Sequence, residues 1–329
     1  VALKVSICIP AYKQVEFLRE TLRSVEAQDF TDYEIIVTDD SPDESVYELL
    51  SEFSFGQKLR YERNSPALGS PQNWNKALRL AQGDYIKILH HDDHFIRRDA
   101  LGLFVKLLDS NPDADFGFCA TLVNHVDSGI KRIHCATTQQ LDALKNDPAS
   151  LFLGNCIGAP STTICRRTAS LEYDTRMKWL VDVDYYFRML SQNNVFAFTS
   201  EALISTPTNA VHQVTEVCRD DIQIELGEAM LLFQRFTPEQ RENPLVKRGW
   251  MNLFRRFKIR KLSKLKAYGV SFSSDRNYFR PLLRWKRWAL LLEPRLTAQK
   301  IFYRLYPHVP ASLRRFLKIV ISQRKTGSL

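Results

Sequence analysis

The chain lacks any apolar run of about 18 residues or more, which excludes a conventional transmembrane helix. It also lacks paired cysteines. Cys8, Cys119, Cys135, Cys156, Cys165 and Cys218 are scattered with no Cys-x-x-Cys, so reduced thiols in a cytosolic protein are expected and a zinc site is not. There is no Gly-x-Gly-x-x-Gly, no Gly-Lys-Ser/Thr and no Gly-x-Ser-x-Gly, hence no dinucleotide fingerprint, P-loop or nucleophile elbow. Internal repeats and low-complexity stretches are missing too. The first residues enter a strand pattern almost at once, which on this reading leaves no room for a signal peptide.

Acids are scarce in one region only. Residues 241–329 hold 23 Lys and Arg against Glu242, Asp275 and Glu293, a net charge of +20, so the +9 of the whole chain leaves −11 for residues 1–240. A mildly acidic body thus carries a strongly basic tail, and any anionic partner is expected at the tail. With 44% hydrophobic and 25% charged residues among 329, the chain can bury a sizeable core.

What is present is an alternation of strands and helices. Val5-Ser6-Ile7-Cys8-Ile9 reads as a buried strand, followed by helical spacing at Val15, Leu18, Leu22 and Val25. A second strand over 34–38 ends in Asp39-Asp40, a short one covers 58–61, and a helix runs from about Gln72 to Ala81. Strand 85–89 then delivers His90-His91-Asp92-Asp93-His94. This order predicts βαβ units and a parallel sheet, whose right-handed crossovers bring both acidic pairs to one edge. Beyond it come a helix at 99–109, strand candidates at 115–123 and 161–166, and a helix near Val183. After about 216 only helices are expected, over 221–236, 248–268, 281–292 and 311–322.

Several residues invite a chemical reading beside a plain one. Asp92 and Asp93 suit Mg²⁺ or Mn²⁺, which bind through one or two carboxylates and substrate phosphates; otherwise they solvate a turn. Asp39-Asp40 can cap a helix or accept a proton from a nucleotide's base or ribose. Tyr12 can cover the sheet edge or stack on a base. Asp182 and Asp184 open a helix among large apolar residues, either as N-caps or as a general base made more basic by desolvation. His212 is either a surface residue or a ligand.

Taken in order, these segments resemble the family 2 glycosyltransferases of the GT-A fold. The matching pieces are Val5 through Tyr12, Ile36-Val37-Thr38-Asp39-Asp40-Ser41, Asn73-Trp74-Asn75-Lys76-Ala77-Leu78 with Gly83-Asp84-Tyr85-Ile86, Leu89-His90-His91-Asp92-Asp93, and Asp182 through Arg188. The resemblance covers about residues 3–215. It implies an α/β fold with a Rossmann-like, mostly parallel sheet flanked by helices (residues 1–215), to which the chain's own pattern adds a basic helical region (216–329). It also implies inverting transfer from a nucleotide-diphosphate sugar, with a UDP-linked donor expected, to a glycan or lipid-linked hydroxyl in cell-surface polysaccharide synthesis. Pro10, Ala11, Tyr12, Asp40, Asn75, His91 and Asp92 would bind the donor, Asp92 and Asp93 the Mn²⁺ or Mg²⁺, and Asp182 would be the base. His212 and Asp184 are assigned as acceptor or metal contacts. Two positions depart from the family pattern: His90 stands where the acidic cluster has its first Asp, and Val181 where a Glu precedes the base.

The tail suggests a location. Leu313, Phe316, Leu317, Val320 and Ile321 share an arc of about 140° opposite Arg314, Arg315 and Lys318, the pattern of an interfacial helix. A peripheral enzyme on the inner face of the cytoplasmic membrane is therefore expected, with a homo-oligomer as the other use of the tail. Two rivals stand beside this reading. One is a nucleic-acid-binding tail in which Trp250, Phe254, Phe257, Tyr268, Phe272, Trp285 and Trp288 interleave with bases. The acidic body and the lack of a recognised motif argue against it, and no nucleic acid is expected as partner. The other is a nucleotidyltransferase, for which the basic Gly-rich phosphate loop is missing.

Overall fold

Strand β1 (Val5–Ala11) is buried at every position and pairs on both sides, in parallel, with β2 (Tyr33–Asp39) and β4 (Tyr85–Ile88). The computed structural model describes residues 3–208, 218–268 and 276–284. Helix α1 (Val15–Glu26) links β1 to β2, and α2 (Ser45–Leu50) links β2 to β3 (Leu59–Arg63), which pairs with β2 in parallel. Helix α3 (Gln72–Leu80) returns the chain to β4. Strands buried on both faces read as near-continuous apolar runs, which is why this half was legible. Their carboxyl ends, Ala11, Asp39 and Ile88, emerge on one edge. Gly83 sits where a Cβ would lie 2.6 Å from the Ser6 nitrogen, a close approach that lets β4 pack beside β1.

The remainder of the sheet is mixed. Beyond β4 lie β8 (Thr163–Arg166) and β6 (Phe116–His125), each antiparallel to its predecessor, then β9 (Phe196–Thr208), parallel to β6. The two-residue β5 (His94–Phe95) closes the far edge on β9, and β7 (Lys131–His134) forms a hairpin with β6. Strand β9 was not expected. Its partner register jumps from Cys119↔Thr199 to Ala120↔Ala202, so Ser200 and Glu201 bulge out and break the alternation that marks a strand. Helices α4 (Ala100–Asp109), α5 (Thr138–Asn146) and α6 (Val181–Gln192) complete this part. The core runs through fully buried Ile7, Ile9, Leu18, Leu22, Ile35, Val37, Leu101, Phe104 and Ile204.

The compact unit does not close near residue 215, where the sequence placed the domain edge. It continues through α7 (Ile222–Gln234), α8 (Pro238–Glu242) and the first part of α9 (Pro244–Arg256), as far as Trp250. The cause is aromatic packing: Trp250 is fully buried, with ring centroids 5.1 Å from Phe152 and 5.6 Å from Phe233. The described residues of 251–267 and 276–284 belong to a second unit, in which Phe254 meets Phe279 of α10 (Arg276–Leu282). The helix expected over 248–268 stops at Arg256. Lys258 takes a positive φ of 54°, and the bonds Ile259 N–H to Phe254 O and Lys258 N–H to Arg255 O form a Schellman stop. Of the helix expected over 281–292 only 281–284 are described, and they hold the end of α10; residues 285–292 and the segment 311–322 lie outside the described residues. Among the described residues no helix is long and apolar enough to cross a membrane.

Candidate active site

The turn after β4 is pinned from three sides. The Leu89 N–H bonds to Cys8 O, the His90 N–H donates to Ser161 Oγ at 2.9 Å, and Thr21 Oγ1 lies 3.0 Å from His91 O and 2.8 Å from Asp93 O. These restraints gather one ligand atom each from His90, Asp92 and Asp93 within 4.8 Å of one another. The His90 ring lies against Trp74, with centroids 4.4 Å apart. Neither His90 Nε2 nor Asp93 Oδ1 has a hydrogen-bond partner among the described residues, although both are buried. Burial lowers His90 to about 4, so its imidazole is neutral and offers a lone pair. Burial and the neighbouring Asp92 carboxylate push Asp93 up. Two crowded carboxyls and a partnerless imidazole nitrogen fit a divalent cation such as Mn²⁺ or Mg²⁺. Asp92 and Asp93 thus meet as expected. His90, which flanks the pair and stands where the family pattern has an acid, joins them. His91 is placed differently: its Nδ1 lies 3.2 Å from Pro10 O, tying this turn to the end of β1. Pro10 itself lies beyond the last β1–β4 pair, Cys8↔Ile88, so its missing N–H removes no ladder bond.

The second acidic pair builds a loop. Asp39 is fully buried, accepting from Ser41 N at 2.8 Å and from Tyr61 OH at 2.9 Å. Asp40 accepts from Asn64 Nδ2, Leu68 N and Gly69 N at 2.7, 2.9 and 2.7 Å, so its carboxylate shapes the loop 64–69. Tyr12 is half exposed beside it, with Lys13 Nζ 5.1 Å from the ring centroid and Lys13 N donating to Ser41 Oγ. Asn73, which sequence reasoning missed, joins these pieces: its Nδ2 reaches Ala11 O and Thr38 O, and its Oδ1 accepts from Asn64. Pro10, Ala11, Tyr12 and Asp40 therefore come together. Asn75 does not join them. It is buried and clamps the backbone of Tyr173, donating to its carbonyl at 2.9 Å and accepting from its N–H at 2.7 Å. Both asparagines flank Trp74 on α3, and spacing alone does not tell which one faces the β1–β2 edge.

Asp182 lies on the first turn of α6. It is not an N-cap: Leu180 holds that position and makes no side-chain cap. Asp182 Oδ1 accepts from Val183 N and Oδ2 from Asn155 Nδ2, both at 2.8 Å. The residue is only partly covered, yet the carboxyl end is enclosed, and burial pushes it up to about 6 against the lowering effect of these bonds. Asn155 also accepts from Ile157 N and Gly158 N, while Tyr186 OH donates to Gly158 O. One short segment, 155–161, thus holds Asp182 through Asn155 and the cation cluster through Ser161. The Tyr186 phenol, raised by burial, is also raised by both Asp182 and Asp93.

Asp184 belongs elsewhere. It is fully buried, with Arg188 Nε donating to Oδ2 at 2.7 Å and Arg235 Nε 2.5 Å from Oδ1. Its carboxylate is taken up by two guanidiniums, which corrects its assignment as an acceptor or metal contact. His212 lies outside the described residues.

The family model described as Glycosyl transferase family 2 matches residues 6–173. The chain belongs to that family. Among similar proteins is the abequosyltransferase RfbV of Salmonella typhimurium, 27% identical over 229 residues, covering 66% of this chain and 67% of that one. The fold is similar to Staphylococcus aureus TarS 1-349 in complex with UDP-GlcNAc (TM-score 0.56, 17% identity, 87% of this chain and 92% of that one). It is also similar to the mannosyltransferase PcManGT of Pyrobaculum calidifontis in complex with GDP-Man and Mn²⁺ (TM-score 0.52, 15% identity, 89% and 88%). The expected GT-A architecture, a mostly parallel curled sheet flanked by helices, is therefore the observed one. The family match ends at Tyr173, so this glycosyltransferase's α6 and Asp182 are argued from the site itself.

Proposed function

We propose that this glycosyltransferase moves a sugar, with inversion, from a nucleotide-diphosphate donor to a hydroxyl of a glycan or lipid-linked acceptor in cell-surface polysaccharide synthesis. The observation that carries this reading is the segment 155–161, which bonds both to an enclosed, basic carboxylate and to the turn of the cation cluster. Asp182 takes the proton from the acceptor hydroxyl as that oxygen attacks the anomeric carbon. The bond from that carbon to the diphosphate breaks on the opposite face, and its electron pair leaves with the phosphate oxygen. A proton affinity near neutrality suits such a base, which must be ionised before reaction and accept the proton during it. His90, Asp92 and Asp93 would hold Mn²⁺ or Mg²⁺, which stabilises the negative charge of a diphosphate as a Lewis acid. Tyr12 offers its half-exposed face to the base, and the loop buttoned by Asp40 borders it.

A uridine nucleotide is the donor proposed, supported by the TarS 1-349 complex with UDP-GlcNAc. A panel of UDP- and GDP-sugars screened for Mn²⁺-dependent hydrolysis and transfer tests it; turnover of GDP-sugars alone would replace the base. The basic tail is proposed to hold the enzyme at an anionic membrane, on the cytoplasmic face. The support is the net +20 of residues 241–329, at about 1 kcal/mol per base near such a surface. Co-sedimentation with anionic and neutral liposomes at rising salt checks this, and equal partitioning to both would exclude it.

A further inference from the structure

The start of α6 has an unusual guardian. Leu180 cannot cap the helix, Asp184 is engaged with Arg188 and Arg235, and Asp182, bonded to Asn155, takes only the Val183 N–H of the first turn. Three consecutive backbone N–H groups just before the helix, those of Lys178, Trp179 and Leu180, converge instead on the carboxylate of Glu228, at 2.9, 2.8 and 2.7 Å. Glu228 comes from α7, nearly buried at 6% exposure. The same helix is fastened to α6 at its other end by Arg235, which pairs with Asp184 and with Asp174.

We propose that Glu228 is a positioning residue for the catalytic base: it occupies the open N-terminal end of α6 so that the Asp182 carboxylate is kept for the acceptor. This rests on the reading of Asp182 as the base. A helix N-terminus carries about half a positive charge and free donors, both of which favour an ionised carboxylate and weaken it as a proton acceptor. Delivering a carboxylate from a neighbouring helix satisfies the N–H of the N-cap, Leu180, and those of the two residues before it, and offsets that charge. Asp182, one turn away, then keeps its proton affinity. The same three bonds fix the turn that carries Trp179 and Leu180 into α6, and so the direction in which Asp182 leaves the helix.

The groups around the pair do not supply this effect. Tyr173 and Tyr186 face Asp182 with phenols held well above their usual range by burial. Lys178 and Cys218 lie near Glu228, the thiol raised by burial. His134, packed against Gly158 from β7, is lowered by burial. Glu228 itself is raised by burial, opposed by the three N–H bonds.

Wild type, Glu228→Gln, Glu228→Asp and Asp182→Asn are compared for kcat, donor KM and the pH profile of kcat/KM. Glu228→Gln is expected to lower kcat at least about 10-fold, keep donor KM within about two-fold, and move the acid limb down by about half a pH unit. Glu228→Asp keeps the charge but reaches fewer N–H groups, so kcat falls while the limb stays at the wild-type position. An unmoved limb in Glu228→Gln, with kcat unchanged or lost only together with thermal stability, overturns the inference and leaves the base assignment standing. If the glutamine variant fails to fold, Glu228→Asp decides, and undiminished kcat overturns the proposal. Retained transfer in Asp182→Asn overturns both.

Discussion

Asn155 donates from Nδ2 to Asp182 Oδ2 at 2.8 Å, a bond between residues 27 apart in the chain. It stabilises the ionised carboxylate and so opposes the upward push of burial. Asn155→Ala should therefore move the acid limb of kcat/KM above pH 6 and lower kcat at neutral pH about 10-fold. In wild type the limb is expected near pH 6, since the base works only above its own pKa. A limb that stays in place in the variant would remove Asn155 from the site.

Asp184 serves stability. Replacing it with Asn removes the buried carboxylate from both guanidiniums, leaving Arg235 its Asp174 partner and Arg188 the Glu172 carbonyl, and breaking such a pair costs about 3 kcal/mol. Part of Arg235 is solvated, so the loss is expected at or below that figure. Thermal denaturation should show it, while Mn²⁺ affinity stays at the wild-type value. A selective loss of metal binding would restore Asp184 to the cation site.

The cation cluster predicts metal dependence with a nitrogen donor. Asp92→Ala and Asp93→Ala should each abolish Mn²⁺-dependent donor binding, and His90→Ala should weaken Mn²⁺ about 10-fold or more. Pulsed electron paramagnetic resonance of bound Mn²⁺ should show coupling to an imidazole nitrogen that His90→Ala removes. Full transfer in excess chelator would contradict the assignment.

Asp40 tests the loop. With three donors released, Asp40→Ala should raise donor KM about 10-fold through a freed 64–69 loop, with kcat less affected. Unchanged KM would place the nucleotide elsewhere.

The legible half of the fold is the half in which burial is two-sided. Val5–Ile9, 34–38 and 85–89 are mostly apolar runs, broken only by Ser6, Glu34, Thr38 and Lys87, because these strands are buried along their length, and each ends at a group of polar residues that the parallel topology brings to one edge. Strand β9 was hidden because Ser200 and Glu201 bulge from it. Asp92, Asp93 and Asp182 drew a chemical reading because carboxylates among apolar residues are costly without a task. Asn155, Ser161 and Glu228 were missed because their roles exist only across long sequence separations, and nothing local marks an asparagine or glutamate that will meet a distant backbone. Asp184 misled for the converse reason. Two residues from Asp182 it looks the same, but Arg235, 51 positions on, neutralises it.

The identity of the base is the claim on which the account turns. Asp182→Asn keeps the size and the neighbouring bonds while removing the proton acceptor. Transfer measured beside donor binding by calorimetry should show turnover reduced at least about 100-fold with donor affinity within about two-fold of wild type. A variant that keeps more than a few per cent of wild-type turnover would contradict the mechanism.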